Sequence, residues 1–478
     1  MVNYMKEIIN KLKKDTNNLS NIIYRRKRYL FKSIWIIYNE TLISTTMVSD
    51  FIIRSLDKIY GFGIYKSIIN NIDNFKYKEI NAYSDICKYL NSGFTILLID
   101  KNKYIALETK KEITRSVSNP ITENVIRGPL DAFNENIEVN IGLIKRRIKD
   151  NNLWIRDYEI GKYTKTKVSM LYMNTIVKKN LVERIDKYLT NIDIDGILTT
   201  GNIKNLIHRE NKNIFPMVIS TEKPFTASKY LLEGNIVILV DNDAFALILP
   251  TTIKDYFYSV EDEYNNNLNV SLNRIVRYIS FFIALVTPAF YISIITYNQE
   301  ILPTELLLSI AAQRENVHFS AFVEAFLMIS AFEILRESDL KVPSFANSSI
   351  SIVGALILGE AAVSAGIVSP IMIIVVAITS IASLTFTEPE MINSLRFYRF
   401  LFMLGAALAG MYGIFIVFIY FVICLSSTYS FGLSYTIPFS PLIISSLKDS
   451  IIKFPILNLR KRNKYLSDNV IRNRTDIK

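Results

Sequence analysis

Residues 278–297, YISFFIALVTPAFYISIITY, run for 20 positions without a formal charge and decide the fold class of the chain. At 1.5 Å per helical residue this stretch spans roughly 30 Å, the thickness of a bilayer core, and it predicts a membrane-crossing helix. Two further apolar stretches occupy residues 350–386 and 400–425. The first is long enough for two helices broken near Ser369 and Pro370, because proline disfavours helix in the residue before it. The second predicts one more crossing.

Weaker apolar segments lie between these stretches, at residues 301–312 and 318–335, and both are interrupted by acidic residues. If both termini lie on the same side of a membrane, the number of crossings must be even. We predict about four crossings. One weak segment, or residues 429–447, would then be re-entrant or lie in the interface.

The distribution of charge supports this division of the chain. Residues 1–277 hold 41 basic and 31 acidic side chains, residues 278–447 hold 5 and 10, and residues 448–478 hold 9 and 3. Basic flanks on an apolar segment are typical of cytoplasmic loops and tails. The first thirty residues are charged throughout, which predicts that no secretory signal peptide is removed. We therefore expect cytoplasmic N- and C-termini.

Two segments in the first half of the sequence match each other. SGFTILLIDKNKYIALE from Ser92 and EGNIVILVDNDAFALILP from Glu233 each contain an apolar run, a polar turn and a second apolar run, which predicts two β-hairpins. Glycine precedes aspartate by seven positions in both, as Gly93 to Asp100 and Gly234 to Asp241. We infer two related α/β subdomains, although two unrelated hairpins could look alike over this length.

The predicted fold class is an α+β cytoplasmic N-terminal region of two related α/β subdomains, followed by an all-α polytopic membrane domain. The predicted segments are a variable N-terminal segment (1–30), a first α/β subdomain (31–125), a helical connector (126–190), a second α/β subdomain (191–277), the membrane domain (278–447) and a basic cytoplasmic tail (448–478).

Small residues recur on one face of two predicted membrane helices. At 100° per residue five of them fall within about an 80° arc, and three more repeat at i, i+4 in the last crossing. Such faces let another helix approach closely, either in ordinary packing or in a gating contact. The predicted packing positions are Ser351, Ala355, Gly359, Ala362 and Gly366, and then Gly405, Ala409 and Gly413.

Three carboxylates lie within the apolar sequence: Glu360, Glu324 and Glu333. An ionised carboxylate in a membrane helix is costly unless it faces water or a partner. These residues are the candidates for an ion or water pathway. The alternative is a protonated or hydrogen-bonded structural role.

No catalytic signature is present. The chain has no Walker A sequence, no GxGxxG after a strand, no GxSxG, no HExxH and no CxxC. Two Cys and two His leave few metal ligands, and no aromatic-basic pattern of a nucleic-acid module occurs. We expect no enzyme activity, no cofactor, no metal site and no nucleic-acid partner.

Several long motifs resemble the A subunit of spore germinant receptors, the GerA family. They include IRGPLDAFNENIEVNIGLIKRRI from Ile126, LLEGNIVILVDNDAFALILPTT from Leu231 and SIVGALILGEAAVSAGIVSP from Ser351. The likeness runs from about residue 20 to residue 455. The sequence departs from the family where Glu360 stands in place of a frequent Gln.

The resemblance implies a multi-pass protein of the inner spore membrane. It would act with a transporter-like B subunit that binds the nutrient and with a lipoprotein C subunit. Self-association into a ligand-gated cation channel that initiates germination is the function expected. Two alternatives stay open: a paralogous spore membrane protein that modulates ion release, and a non-conducting scaffold of the receptor cluster.

Overall fold

The computed structural model divides the chain into two compact units. The α/β unit comprises Met1–Glu210, Val218–Pro250 and Arg460–Lys478, and the helical unit comprises Asn211–Met217 and Thr251–Leu459. The residues that the structure describes are 2–16, 21–28, 33–57, 77–80, 82–100, 103–109, 120, 123, 127–211, 214–339, 359–386, 388–443, 447, 449–455, 458–459, 461–469 and 471–472.

Two five-stranded antiparallel sheets form the centre of the α/β unit. The first sheet has the order β1-β2-β4-β5-β3 and the second has the order β6-β7-β9-β10-β8. The strands are β1 (Ile22–Arg28), β2 (Ser33–Asn39), β3 (Tyr77–Ile80), β4 (Phe94–Asp100), β5 (Lys103–Glu108), β6 (Leu153–Ile160), β7 (Thr166–Met173), β8 (Ile219–Thr221), β9 (Ile236–Val240) and β10 (Ala246–Leu249). If the five strands of each sheet are numbered 1 to 5 in chain order, both sheets have the order 1-2-4-5-3. The pairings of β4 with β5 and of β9 with β10 confirm the two predicted hairpins.

Helices connect and cover these strands. They are α1 (Val2–Asp15), α2 (Thr45–Met47), α3 (Arg54–Asp57), α4 (Tyr83–Leu90), α5 (Ile137–Arg147), α6 (Lys179–Thr190), α7 (Thr200–Asn211) and α8 (Pro224–Glu233), with a π-helical segment at Val48–Ile53. Alternate residues of β4 enter two separate cores, with Ile96 and Leu98 in one and Leu97 and Ile99 in the other. Apolar side chains on both faces explain why this strand reads as a continuous apolar run.

Two predicted boundaries in the first half of the chain were wrong, at residues 30 and 190. The predicted connector 126–190 contains β6 and β7, which are strands of the second sheet. The prediction rested on the basic helix α5. β6 (LWIRDYEI) was missed because it is an edge strand, and its charged side chains interrupt the alternation of apolar and polar residues that is typical of a strand. The predicted N-terminal segment 1–30 holds α1 and β1, and β1 pairs with β2 in the first sheet.

The ends of the predicted second subdomain and tail also differ. Residues 251–277 belong to the helical unit, and residues 460–478 belong to the α/β unit instead of forming a separate tail. The amide N–H of Lys178 donates to the Leu466 carbonyl oxygen at 3.1 Å, and Val177 bridges to Ser467. These backbone contacts fix the C-terminal segment against the α/β unit.

Long apolar helices make up the helical unit. They are α9 (Asn267–Thr296), α10 (Thr304–Arg314), α11 (Ala321–Asp339), α12 (Pro370–Ser383) and α13 (Pro389–Ser426), and residues 359–364 are also helical. Short 3₁₀ turns occupy Ile253–Phe257, Val260–Glu263 and Gln299–Ile301, and a two-stranded ribbon pairs β11 (Tyr429–Ser430) with β12 (Leu433–Ser434). Among the described residues, α9 and, counted over its full length, α13 are long and apolar enough to cross a membrane, with mean hydropathies of 2.0 and 2.5 over a window of 18 residues.

The predicted helix break at Ser369 and Pro370 is confirmed. Ser369 is the N-cap of α12, and its side chain accepts a hydrogen bond from the Met372 amide. Pro370 occupies the first helical position, where its missing N–H costs nothing. α12 has 14 residues, which makes it shorter than a full crossing.

Helix α13 is a hairpin of two arms, residues 389–408 and 411–426. Ala409 (φ −141°, ψ 18°) and Gly410 (φ 57°, ψ −134°) leave helical geometry and reverse the chain. The rings of Tyr398 and Phe421 then lie 4.9 Å apart, although 23 residues separate them in sequence. The single continuous helix predicted over residues 400–425 was therefore wrong. The turn is not evident from the sequence, because the residues on both sides of it are apolar and only Gly410 indicates a break in the helix.

Candidate functional site in the helical unit

Glu324 is completely buried near the start of α11. Its Oε1 lies 2.8 Å from a guanidinium nitrogen of Arg314, and its Oε2 accepts hydrogen bonds of 3.0 Å from both the amide and the hydroxyl of Ser369. The carboxylate therefore joins the end of α10 and the N-terminus of α12 to α11. The cationic partner and the two donors satisfy the buried carboxylate.

Glu333 lies about two and a half turns further along α11 and is also paired. Its Oε1 is 2.9 Å from Arg396 Nε in the first arm of α13, and its Oε2 is 3.1 Å from Arg336. One turn beyond Arg396, the buried Arg399 donates through Nε to the Ala284 carbonyl oxygen of α9 at 2.7 Å. The sequence analysis did not single out these arginines. They could have been found, because arginine is rare and usually buried against a partner inside an apolar helix.

Glu360 differs from the other two carboxylates. It lies on the helical segment 359–364 with an exposed side chain, and it makes no hydrogen bond or ion pair with another described residue. Of the three predicted ion-pathway candidates, only Glu360 therefore keeps an open carboxylate within the described part of the chain. The contacts of Glu324 and Glu333 favour the structural alternative for both.

The small residues of the two predicted faces have different roles. A Cβ atom built on Gly359 would lie 3.8 Å from Ile373 of α12, and Ala362 is buried. Gly366 ends the segment at φ 62°, and a Cβ there would lie 2.5 Å from the Asn316 carbonyl oxygen. The prediction that Gly366 belongs to a helix face was wrong, because it forms a turn. Ser351 and Ala355 lie outside the described residues.

Gly405 and Gly413 face each other across the α13 hairpin, and they do not face a separate helix. A Cβ on Gly405 would lie 2.9 Å from the Gly413 carbonyl oxygen. Ala409 belongs to the turn, so its predicted place on a helical face was wrong. The i, i+4 spacing suggested a continuous helix, whereas the arms run antiparallel and use the glycines for close backbone approach.

A buried ionic network at the start of α9 was missed from the sequence. Asp262 accepts from Arg274 Nε at 3.2 Å and pairs with Arg277 at 2.9 and 3.0 Å. Arg274 also reaches Asp449 at 3.1 Å, and Lys453 Nζ donates to the Asp262 carbonyl oxygen. No local motif signals this network, because its members are separated by up to 191 positions. It fixes residues 449–453 and the turn at 260–263 to the same end of α9.

No three His, Cys, Asp or Glu side chains within the described ranges are placed to hold a metal ion. The described helical unit combines buried ion pairs, the open carboxylate of Glu360 and apolar surface.

Comparison with known proteins gives the family. The family model described as Bacillus/Clostridium GerA spore germination protein matches residues 10–465. The chain is 41% identical over 379 residues to spore germination protein KA of Bacillus subtilis, covering 79% of this chain and 70% of that one. It is 35% identical over 432 residues to spore germination protein B1 of the same organism, covering 89% of each. It is 32% identical over 465 residues to the uncharacterized membrane protein YfkQ of B. subtilis, covering 96% and 90%.

A solved structure also matches part of the chain. This is the N-terminal domain of the A subunit of the Bacillus megaterium spore germinant receptor GerK3, with 28% identity and a TM-score of 0.40, covering 50% of this chain and 92% of that one. The family match extends over nearly the whole sequence and includes every motif on which the resemblance was based. The chain therefore belongs to the GerA family of spore germination proteins, whose germinant receptor A subunits it resembles.

Proposed function

We propose that this protein is the A subunit of a nutrient germinant receptor and forms an oligomeric, ligand-gated cation channel in the inner spore membrane. Its partners would be a transporter-like B subunit and a lipoprotein C subunit. The family membership and the germination proteins among its relatives support this role.

The exposed surface of α13 supports a membrane location. In the second arm, Tyr412 is 81% exposed and Phe415 and Ile416 are each 64% exposed. A contiguous apolar helix surface of this kind needs lipid or another protein to cover it. Lipid is the simpler cover, because residues 411–426 contain no formal charge.

The direction of the helices supports a multi-pass arrangement. The turn at Gly410 packs against Tyr297 and Asn298 at the end of α9. Tyr435, which follows the second arm, accepts through its carbonyl oxygen from the Ile253 amide, which precedes α9. Both arms of α13 thus run along the C-terminal part of α9, and the segments before α9 and after α13 lie at the same end of the helical unit. Cytoplasmic termini follow if that end faces the cytoplasm.

Glu360 is the observation that carries the channel proposal. Its open carboxylate sits on an apolar helix, where an unpaired charge is tolerated only beside water or a partner. In an oligomer, a ring of these carboxylates would attract cations to an aqueous path. The ion-paired Glu324 and Glu333 would hold the helices in a defined packing. Nutrient binding to the partner would open the path only if the nutrient-bound partner has a higher affinity for the open than for the closed arrangement of helices.

The test is current recording from the purified oligomer in planar bilayers, with and without the B and C subunits. We expect cation-selective currents, and we expect Glu360→Gln to lower the preference for cations over anions. The matched control is Glu315→Gln, which removes an exposed carboxylate outside the apolar segments. Unchanged selectivity in Glu360→Gln would remove Glu360 from the pathway. Silence from intact oligomers that contain all subunits would favour the scaffold alternative.

A paralogous role is the second candidate, because the chain also matches, over 96% of its length, YfkQ, a membrane protein whose name does not place it in germination. Such a protein would modulate ion release without a nutrient specificity of its own. Co-purification separates the two candidates. An A subunit should retain B- and C-type subunits in detergent, whereas a modulating paralogue should lack them.

A further inference from the structure

A cavity of about 300 Å³ lies between α11 and the first arm of α13. One side is apolar and includes Phe326, Phe400 and Met403, and the other side is charged and includes Glu333, Arg396 and Arg399. A neighbouring cavity shares Glu333 and Arg396 and extends to Ser338 near the end of α11. The cavity is therefore amphipathic, and its charged side is predominantly cationic.

The charges around this cavity do not balance. Three guanidinium groups, on Arg336, Arg396 and Arg399, surround the carboxylate of Glu333, which pairs with the first two. Glu337 lines the neighbouring cavity, and counting it still leaves three positive charges against two negative ones.

Arg399 is the least satisfied of the three. Its side chain is almost completely buried, and only 2% of the residue is exposed. Its Nε donates to Ala284, while its Nη2 has no hydrogen-bond partner among the described residues. A buried guanidinium with an open donor is costly, and an anion at that donor would remove the cost.

We propose that this cavity binds a phosphate group, with Arg399 and Arg396 as its ligands. The planar fork of arginine matches phosphate oxygens in a bidentate geometry, and two arginines one helical turn apart can hold one phosphate together. The phosphate can come from a lipid headgroup or from free phosphate. The aromatic and methionine side of the cavity favours a lipid, whose acyl chain it would accommodate. This inference does not depend on conduction by the protein.

The test uses the full-length protein in detergent and two probes. Inorganic phosphate is titrated at constant ionic strength while the thermal unfolding midpoint is followed. Retention of phosphatidylglycerol, compared with uncharged diacylglycerol of the same chains, is measured by native mass spectrometry. We expect at least one probe to bind, and Arg399→Gln and Arg396→Gln to weaken that binding about tenfold or more. Arg146→Gln, which alters an exposed arginine of α5, should bind as the unmodified chain does.

Each outcome decides a point. A midpoint shift with inorganic phosphate indicates a free phosphate site, and preferential retention of phosphatidylglycerol alone indicates a headgroup site. Absence of both, or equal binding by Arg396→Gln and the unmodified chain, overturns the proposal. If Arg399→Gln does not fold, Arg396→Gln decides, because Arg396 is partly exposed and removing its charge disturbs packing less.

Discussion

Gly405 and Gly413 are in backbone contact across the α13 hairpin. A Cβ atom on Gly405 would lie 2.9 Å from the Gly413 carbonyl oxygen, and a Cβ atom on Gly413 would lie even closer to the Gly405 carbonyl oxygen. Separating the two backbones would also break the hydrogen bonds that hold the turn between them to the end of α9. Tyr297 Oη donates to the carbonyl oxygens of Ala407 and Leu408 at 3.1 Å, and the Met411 amide donates to Asn298 Oδ1 at 3.2 Å.

Replacement of Gly413 by alanine should therefore open the hairpin. The added methyl group meets backbone instead of a movable side chain, and overpacking of this kind costs about 1–3 kcal/mol or more. The measurement is the thermal unfolding midpoint of the purified protein in detergent. Gly359→Ala is the matched control, because its Cβ would make an ordinary contact of 3.8 Å with Ile373. Equal midpoints for the two variants would contradict the antiparallel hairpin.

Removal of Glu324 should destabilise the helical unit strongly. Glu324→Ala leaves Arg314 without its anion and the Ser369 amide without an acceptor, and breaking a buried ion pair costs about 3–5 kcal/mol. The double variant Glu324→Met with Arg314→Met should recover part of this loss, because no unpaired charge remains. Thermal unfolding of the single and double variants measures the coupling. Glu315→Ala is the control at an exposed site. If Glu324→Ala unfolds at the same temperature as Glu315→Ala, then the ion pair is not structural.

Stability of the α/β unit should rise with pH above about 8 because of Lys145. This side chain is buried on α5, and burial lowers its pKa from 10.5 to about 8. The nearby carboxylates of Glu138 and Asp157 raise the pKa, and the positive charge of Lys167 lowers it further. Below pH 8 both folded and unfolded chains bind the proton, and the folded chain carries a penalty of about 3 kcal/mol. Between about pH 8 and pH 10.5 only the unfolded chain binds it, so stability increases.

Lys145→Met should remove this dependence and raise the unfolding temperature at pH 7. Hydrogen exchange of α5 amides in the full chain, compared at pH 7 and pH 9.5 after correction for intrinsic rates, isolates the effect. Lys149→Met, at an exposed position, should leave the dependence unchanged. A flat pH profile in the unmodified chain would show that Lys145 is not held as the structure has it.

The sequence predicted the features that depend on local pattern. Apolar runs around a polar turn gave both hairpins, and Pro370 gave the start of α12. The motif resemblance gave the family. The two sheets share one strand order, which is what a repeat of the whole segment would predict.

The remaining features depend on contacts between distant residues. The reversal at Gly410 lies inside uniformly apolar sequence, where one glycine is also compatible with a straight helix. The pairing of Glu333 with Arg396 and of Asp262 with Arg274 joins segments that no spacing rule connects. The charged residues of the edge strand β6 interrupt its alternation of apolar and polar residues. The second sheet was therefore predicted to begin after residue 190, whereas it begins at β6.

Cysteine accessibility across a sealed membrane tests the central claim most directly. The claim is that the helical unit spans a bilayer and that α13 enters and leaves it on one side. Single cysteines at Leu384, Leu408 and Ser427, in a chain whose Cys87 and Cys424 are replaced by alanine, place the beginning, the turn and the end of the hairpin. We predict that a membrane-impermeant maleimide labels positions 384 and 427 from one side and position 408 from the other. Labelling of 384 and 427 from opposite sides, or of all three from the same side, would contradict the account.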